Sequence, residues 1–441
     1  MAAHVGRDEP TGSRASGGRV TRRPILIVAL ACVLPRLAVL LHERGAILTS
    51  FTEKSDDFAR TFVDHGTFGF IPGQPSAWTQ PLYSFFLIPI YWIFGRTWWA
   101  VGFAQIAVAL ATALLVYEIG RRFVSPRAGL IAAVIATLNP YLVWHDMHLN
   151  REILDQLLAA AIVLLSLLAA ERKTMGTGAL LGLALGLAIL GDTRLLILPL
   201  VVAVYLLWTT RQWQGAVACL AVCAVTLIPW AVRNRVSVGC FTLTTDTRAL
   251  WKANNANTYS TLARGGWIDD VPLLPAAPPT PEMAGAIYNA PAYHHKVVHV
   301  NECAQMRMYR HLVFRFWADH PGEKGKLMGQ AVRMLWDPRS LKTTGREGKG
   351  GAIDTARTWV QPLYEIPLYV LALIGFFLLP RRVAVLGIAM LAYQTVVAMG
   401  FAGTTRYRVP WDFVLALAAG PAILWLVERA AVALRRPGLS T

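Results

Sequence analysis

The chain has 441 residues, 55% of them hydrophobic and only 15% charged, with a mean hydropathy of +0.44. Apolar content on that scale excludes a soluble domain and marks a polytopic membrane protein. The net charge of +16 would suit nucleic acid in a soluble chain. No helix-turn-helix, finger or RNA-binding signature accompanies it, and the excess of basic residues in inner loops of membrane proteins is a simpler source.

Residues 1–24 are polar and basic and read as a disordered cytoplasmic tail. The apolar run Ile25 to Leu41 ends at His42-Glu43-Arg44 without a small-residue cleavage site, so it reads as a retained span and not as a signal peptide. A first outer loop, 42–96, follows. It carries adjacent acids, Asp56 and Asp57, then an amphipathic turn with Phe58 and Phe62 on one face and Arg60 and Asp64 on another. A Gly/Pro-rich bend leads to the apolar run Pro81 to Phe94, which is short and contains Pro89. That run is predicted to be a juxtamembrane helix lying in, or dipping into, the outer interface.

Apolar runs of spanning length are placed near 25–41, 97–119, 128–143, 153–170, 175–191, 195–209, 213–230, 360–379, 383–400 and 410–427. Ten spans leave Arg121, Arg122 and Arg127, then Arg172 and Lys173, Arg211, Arg381 and Arg382, and the tail Arg435 and Arg436 in short inner connections, as the positive-inside rule asks. Counting 81–94 as a span would put the first three outside. The expectation is therefore an all-α polytopic membrane protein with about ten transmembrane helices, juxtamembrane helices in the first outer loop, and a large mixed outer segment. Residues 25–230 form an N-terminal transmembrane catalytic module, 231–359 an extracytoplasmic segment, 360–427 the C-terminal helices and 428–441 a cytoplasmic tail. The outer segment contains a Pro-rich patch, 276–281, and a Gly/Lys-rich patch, 345–351. Cys32 falls in a span, and Cys219 and Cys223 share a helix face. Cys240 and Cys303 lie in the outer segment and form one disulfide if that side is oxidising, or stay free if it is not.

The notable polar residues then gather on one side: Asp56 and Asp57; Asp146, His148, Arg151 and Glu152; Asp192 and Arg194; Arg233, Asn234, Asn254 and Asn255; and Arg406, Tyr407 and Arg408. Outer-face arginines run against the positive-inside trend, and an anionic ligand is one reason for them. Acids and arginines at one depth suit transfer of a group from a phosphate leaving group. An acid takes the proton of the attacking hydroxyl, and arginines hold the departing phosphate. Taken singly, Asp56 and Asp57 also read as a solvated helix cap, and Arg151 and Glu152 as ordinary residues at a helix start. No His or Cys spacing marks a metal site.

These stretches together — the acid before HGTFGF, GQPSAWTQPLY, GRRFVSPRAGL, NREILD, GDTRLLILP, PWAVRN, KANN and RYRVP — resemble the GT-C glycosyltransferases, in particular the bacterial protein-mannosyltransferase-like enzymes. The resemblance covers about residues 50 to 425. It implies a polyprenyl-phosphate-linked sugar as donor, a glycan, lipid or protein as acceptor, and inverting transfer on the outer face of a bacterial plasma membrane with both termini cytoplasmic. It assigns the general base to Asp56 or Asp57 and an assisting acid to Glu152 or Asp146. Phosphate contacts fall to Arg194 and Arg406, with Arg233, Asn254, Asn255, Tyr407 and Arg408 as further substrate-binding candidates. Relatives carry the first-loop acid about one helical turn further upstream of the glycine that is Gly66 here. Glu53 is closer to that spacing, but a one-turn deletion keeps the same face, which favours the Asp pair. The adjacent acids permit a divalent metal, Mg or Mn, without demanding it. The competing reading is a transporter or flippase of lipid-linked saccharides, which Arg36 within the first span would suit.

Overall fold

A computed structural model describes residues 22–50, 52–274, 277–339 and 355–435. The tail residues 1–21 and 436–441, position 276 of the Pro-rich patch and the Gly/Lys-rich patch 345–351 lie outside the described residues. The chain folds into α1 (Arg22–Glu43), α2 (Lys54–His65), α3 (Pro81–Phe94), α4 (Trp98–Phe123), α5 (Pro126–Thr137), α6 (Pro140–His145), α7 (Glu152–Arg172), α8 (Met175–Gly191), α9 (Leu198–Thr210) and α10 (Gln214–Ser237). The long segment contributes α11 (Arg248–Lys252), α12 (Thr258–Ala263), α13 (Pro281–Asn289), α14 (Glu302–Asp319) and α15 (Pro321–Trp336). The chain then returns through α16 (Gln361–Leu378), α17 (Arg381–Gly400), α18 (Thr405–Arg408) and α19 (Phe413–Arg435).

Eight of the described helices are long and apolar enough to cross a membrane, and the chain is a multi-pass membrane protein. α3, α5 and α8 are apolar but shorter. α3, at 14 residues, rises about 21 Å, well short of a ~30 Å hydrocarbon core, in line with a helix that does not span. The expected span 128–143 is broken into α5 and α6. Pro140 cannot extend the hydrogen-bond ladder, and the Asn139 side chain caps the new start by accepting from the Tyr141 N–H at 3.0 Å. The long segment is helices and loops; among the described residues of the whole chain there is no strand, only an isolated Ile71–Gln74 bridge in the first loop. The last helix runs past the expected boundary at 427 to Arg435.

Close packing of backbones holds the first bundle. Gly178 and Gly182 of α8 face α10 so closely that a Cβ on Gly182 would lie 2.2 Å from the Cys219 carbonyl oxygen. Small residues four apart permit this approach in a membrane, where burying apolar surface gives helices no advantage over lipid. Arg36, inside α1, is fully buried on Asp146 at 2.7 Å, and also donates to the Thr137 carbonyl at 2.9 Å. The bundle has two chemically distinct ends. At one, Arg122 pairs with Glu171 at 2.8 Å, and Tyr205 donates to the Arg382 carbonyl at 3.3 Å. At the other end are the start of α7, the turn after α8 and the α17–α19 connection, together with the long segment.

That segment is tied down by charge and by sulfur. Lys54 at the start of α2 reaches Asp246 at 3.1 Å and Glu282 at 3.4 Å. Cys240 and Cys303 form a disulfide with Cα atoms 5.9 Å apart, which joins the exit of α10 to the start of α14. Lys324 of α15 donates to Asn254 and to the Met399 carbonyl, both at 2.7 Å, closing the segment onto the end of α17.

Candidate active site at one end of the bundle

Four separate connections bring carboxylates and guanidiniums together. Glu53 is the N-cap residue of α2 with extended backbone, yet its carboxylate does not cap the helix. It is ion-paired instead with Arg406. Arg406 also pairs with Glu152, the first residue of α7. One guanidinium thus bridges two acids that are about 100 residues apart in sequence. Arg406 has the planar fork that such double recognition needs.

The next residue links this pair to a second one. The ring of Tyr407 lies 3.4 Å from the guanidinium carbon of Arg194. Arg194 is fixed by Asp192, which caps the short turn by accepting from the Arg194 N–H at 3.0 Å and from its Nε at 2.9 Å. Tyr393 of α17 donates to the Arg194 carbonyl at 2.7 Å. Arg151 donates to the Gly191 carbonyl at 3.2 Å and faces Asp155 at 3.9 Å. Glu53, Glu152, Asp155 and Asp192 therefore stand beside Arg151, Arg194 and Arg406, four acids to three arginines. Trp267 of the long segment meets Tyr407 with ring centroids 6.1 Å apart, and Phe401 meets it at 5.9 Å, giving the cluster an aromatic wall.

Burial alone would raise the Asp192 carboxyl, but the charges of Arg194 and Arg151 outweigh it and hold the group below its ordinary range. Burial lowers Arg406 and raises the Tyr407 phenol.

The other sequence candidates go elsewhere. Asp56 is buried and accepts from Tyr91 at 2.6 Å and from Arg96 at 2.9 and 2.7 Å, so it locks α2 to α3 and to the α3–α4 connection. Asp57 is half exposed, 3.9 Å from Arg60. Burial and the neighbouring Asp56 push its carboxyl up to about 6. Asp57 follows Glu53 by one turn on the same side of the chain. Asp146 is committed to Arg36 and to Gln156, the latter at 2.8 Å. Arg408 is buried against Glu365 at 2.8 Å and Asp412 at 3.1 Å. Arg233 donates to the carbonyls of Ser76 at 2.8 Å and Phe68 at 3.1 Å, and so holds the Gly/Pro-rich bend. Asn254 accepts from Trp317 and Lys324, and Asn255 bonds the Trp251 carbonyl at 3.0 Å within the long segment. Among the described residues no group of three His, Cys, Asp or Glu is arranged to hold a metal ion. With Asp56 taken by Arg96 and Tyr91, the adjacent acids do not fit the Mg or Mn they were expected to permit.

Sequence reasoning named Glu152, Arg194, Arg406 and Tyr407, which the fold brings together. Glu53 is closer to the relatives' spacing but ranks behind the Asp pair there; Arg151 stands among the gathered polar residues with an ordinary helix-start reading beside it, and Asp155 is not singled out. The signal for the last two was their charge within an otherwise apolar helix start, NREILDQLL.

Residues 74–232, just over a third of the chain, match the family model described as dolichyl-phosphate-mannose-protein mannosyltransferase. No curated protein matches the sequence. Among solved structures, the fold is similar to the oligosaccharyltransferase of Archaeoglobus fulgidus tethered with an acceptor peptide, with TM-score 0.55, 13% identity, and 96% of this chain and 52% of that chain covered. The archaeal oligosaccharyltransferase AglB from Archaeoglobus fulgidus, in complex with an inhibitory peptide and a dolichol-phosphate, gives TM-score 0.53 and 14% identity, covering 95% of this chain and 52% of that one. ArnT from Cupriavidus metallidurans bound to undecaprenyl phosphate aligns at TM-score 0.39 and 14% identity, over 96% of this chain and 82% of that chain. The chain spans about half the length of the archaeal oligosaccharyltransferase chains it matches. Residues 74–232 thus match the model of a mannosyltransferase family, and over nearly the whole chain the fold is similar to that of the archaeal oligosaccharyltransferase structures.

Proposed function

We propose that this protein is an inverting glycosyltransferase that moves a sugar from a polyprenyl-phosphate donor to an acceptor hydroxyl on the outer face of the membrane. The observation that carries this reading is the double ion pair of Arg406 with Glu53 and Glu152, beside Arg194 on Tyr407. Donor phosphate entering the cluster takes the fork of Arg406 in exchange for Glu53, and Arg194 holds a second face of the phosphate. Glu53, released, accepts the proton of the attacking hydroxyl. The hydroxyl oxygen bonds to the anomeric carbon from the side opposite the phosphate. The bond from that carbon to the phosphate oxygen breaks, and its electron pair leaves with polyprenyl phosphate. Glu53 suits the base role better than Glu152 because its side chain is 17% exposed against 5%. Glu152 then keeps Arg406 oriented.

Placement on the outer face is supported by two features. The disulfide in the long segment suits an oxidising compartment. The end of the bundle with Arg121, Arg122, Arg381 and Arg382 is the more basic one, and basic loops stay inside. Arg36, which would have suited a transporter, is neutralised by Asp146.

The test uses detergent-purified protein and polyprenyl-phosphate sugars with a crude envelope acceptor fraction, reading release of free polyprenyl phosphate. Glu53→Gln is expected to lower turnover about 10²–10⁴-fold with donor binding retained. Arg406→Ala is expected to weaken donor binding as well. Full turnover by Glu53→Gln together with a dead Asp57→Asn would move the base to Asp57. Absence of any turnover with every donor would overturn the enzyme reading.

A further inference from the structure

Between α9 and α17, running from below the Asp192–Arg194 turn toward the end of the bundle away from the acids, lies a groove of about 390 Å³. Leu200, Val204 and Trp208 line one side and Val385 and Ala389 the other, with Tyr205 at the back. The lining is almost wholly apolar, and Leu200, Val204, Trp208 and Val385 are exposed although both helices pack in the bundle. From Leu200 to Trp208 the helix rises about 12 Å, so the groove runs along the membrane normal for part of one leaflet.

The basic end of this groove is unusual in its charge. Arg381 sits with its guanidinium carbon 5.6 Å from the Trp208 ring, and Arg382 follows it at the first turn of α17. Tyr205, which lines the groove, donates to the Arg382 carbonyl at 3.3 Å and fixes that turn at the groove's end. Both arginines are exposed, and neither has an acidic partner among the described residues. By contrast, Arg121 and Arg122 at the same end are neutralised by Glu118 and Glu171. The first turn of α17 also lacks a side-chain cap, because Pro380 precedes it. Its amide N–H groups add to the positive field.

An apolar slot that opens to lipid and ends at two unpaired arginines, an interfacial tryptophan and an uncapped helix start matches one chemistry. We propose that this groove is a binding site for an anionic phospholipid, one acyl chain lying between α9 and α17 and the phosphate held by Arg381 and Arg382. Charge complementarity selects an anionic headgroup over a zwitterionic one. The site is separate from the acid–arginine cluster, and the proposal stands whether or not that cluster transfers a sugar.

Full-length protein in detergent is titrated with phosphatidylglycerol or phosphatidylcholine, and retained lipid is counted by native mass spectrometry. Wild type is expected to retain phosphatidylglycerol in preference. Arg381→Gln with Arg382→Gln is expected to weaken that retention about 30-fold, taking the usual contribution of each basic residue at an anionic membrane surface. Retention of phosphatidylcholine should not change. Ala389→Trp, which fills the groove, is expected to weaken both lipids, and Val204→Trp serves if that variant fails to fold. Equal retention of the two lipids by wild type, or undiminished phosphatidylglycerol retention in the double glutamine variant, overturns the proposal. Preferential displacement of phosphatidylglycerol by undecaprenyl phosphate also overturns it, since the groove would then belong to an isoprenoid chain.

Discussion

Replacing Asp146 by alanine separates two roles that its sequence position allows, catalytic acid and structural counter-ion. Its carboxylate accepts from Arg36 at 2.9 and 2.7 Å and from Gln156 at 2.8 Å, and the Arg36 and Asp146 side chains are only 2% and 1% exposed. Asp146→Ala leaves the Arg36 charge buried without a partner, at a cost of about 3–5 kcal/mol. That is a factor between about 10² and 10⁴ in the folded-to-unfolded ratio. Replacing both members, Arg36→Met with Asp146→Leu, removes the charge as well as its partner and is expected to regain most of the loss. The assay is denaturant unfolding in detergent, paired with turnover normalised to the folded fraction. The structural reading predicts a large stability loss in the single variant, recovery in the double one, and near-normal turnover per folded molecule in the double. A single variant that unfolds like wild type but does not turn over would refute it and return Asp146 to the catalytic set.

Three further outcomes follow from named contacts. Asp57 ionises at about 6 in the folded protein, against about 4 in an unfolded chain. The folded state therefore keeps its proton across that window where the unfolded chain has lost it, so stability falls as pH rises from about 4 to 6. Asp57→Asn should flatten that slope in melting temperatures measured against pH. Gly182→Leu drives a Cβ into the Cys219 carbonyl; it should part α8 from α10, shift the Asp192 turn and lower both melting temperature and donor affinity, whereas Gly176→Ala, in open space at the start of α8, should do neither. Reduction of the Cys240–Cys303 bridge, with a sequence separation of 63, is expected to cost at most about 4 kcal/mol by chain entropy. The loss should appear first as faster hydrogen exchange in α14, and Cys240→Ser with Cys303→Ser should reproduce it.

How much of this was readable beforehand depends on the range over which each feature is determined. The long apolar helices and the short α3 are set by runs of residues and could be read directly; of the ten expected spans, 128–143 is broken at Pro140 and 175–191 falls among the shorter apolar helices. Side-chain direction within a short turn was also readable in principle. Arg406 and Arg408 are two apart on α18, so they cannot face the same way, and in the fold one meets Glu53 and Glu152 while the other meets Glu365 and Asp412. Grouping both as substrate contacts ignored that spacing. The partners themselves were not readable. Asp56 is chosen by Arg96, 40 residues on, and Asp146 by Arg36, 110 residues back. No local pattern encodes either choice.

The same reasoning supports the proposal of Glu53 as the base in place of the Asp pair. All three acids lie within five residues at the start of one amphipathic helix, and composition cannot rank them. What separates them is how each is occupied. Asp56 is used up in joining α2 to α3 and to the α3–α4 connection, and Asp57 has only a distant pairing with Arg60. Glu53 alone pairs with the arginine that also holds Glu152. A base must be near the phosphate-binding guanidinium yet able to leave it, and a carboxylate on a shared, partly exposed fork meets both conditions. A carboxylate buried in a closed pair, as in Arg36–Asp146 or Arg408–Glu365, meets neither, because releasing it would strand a charge in a medium that cannot solvate it.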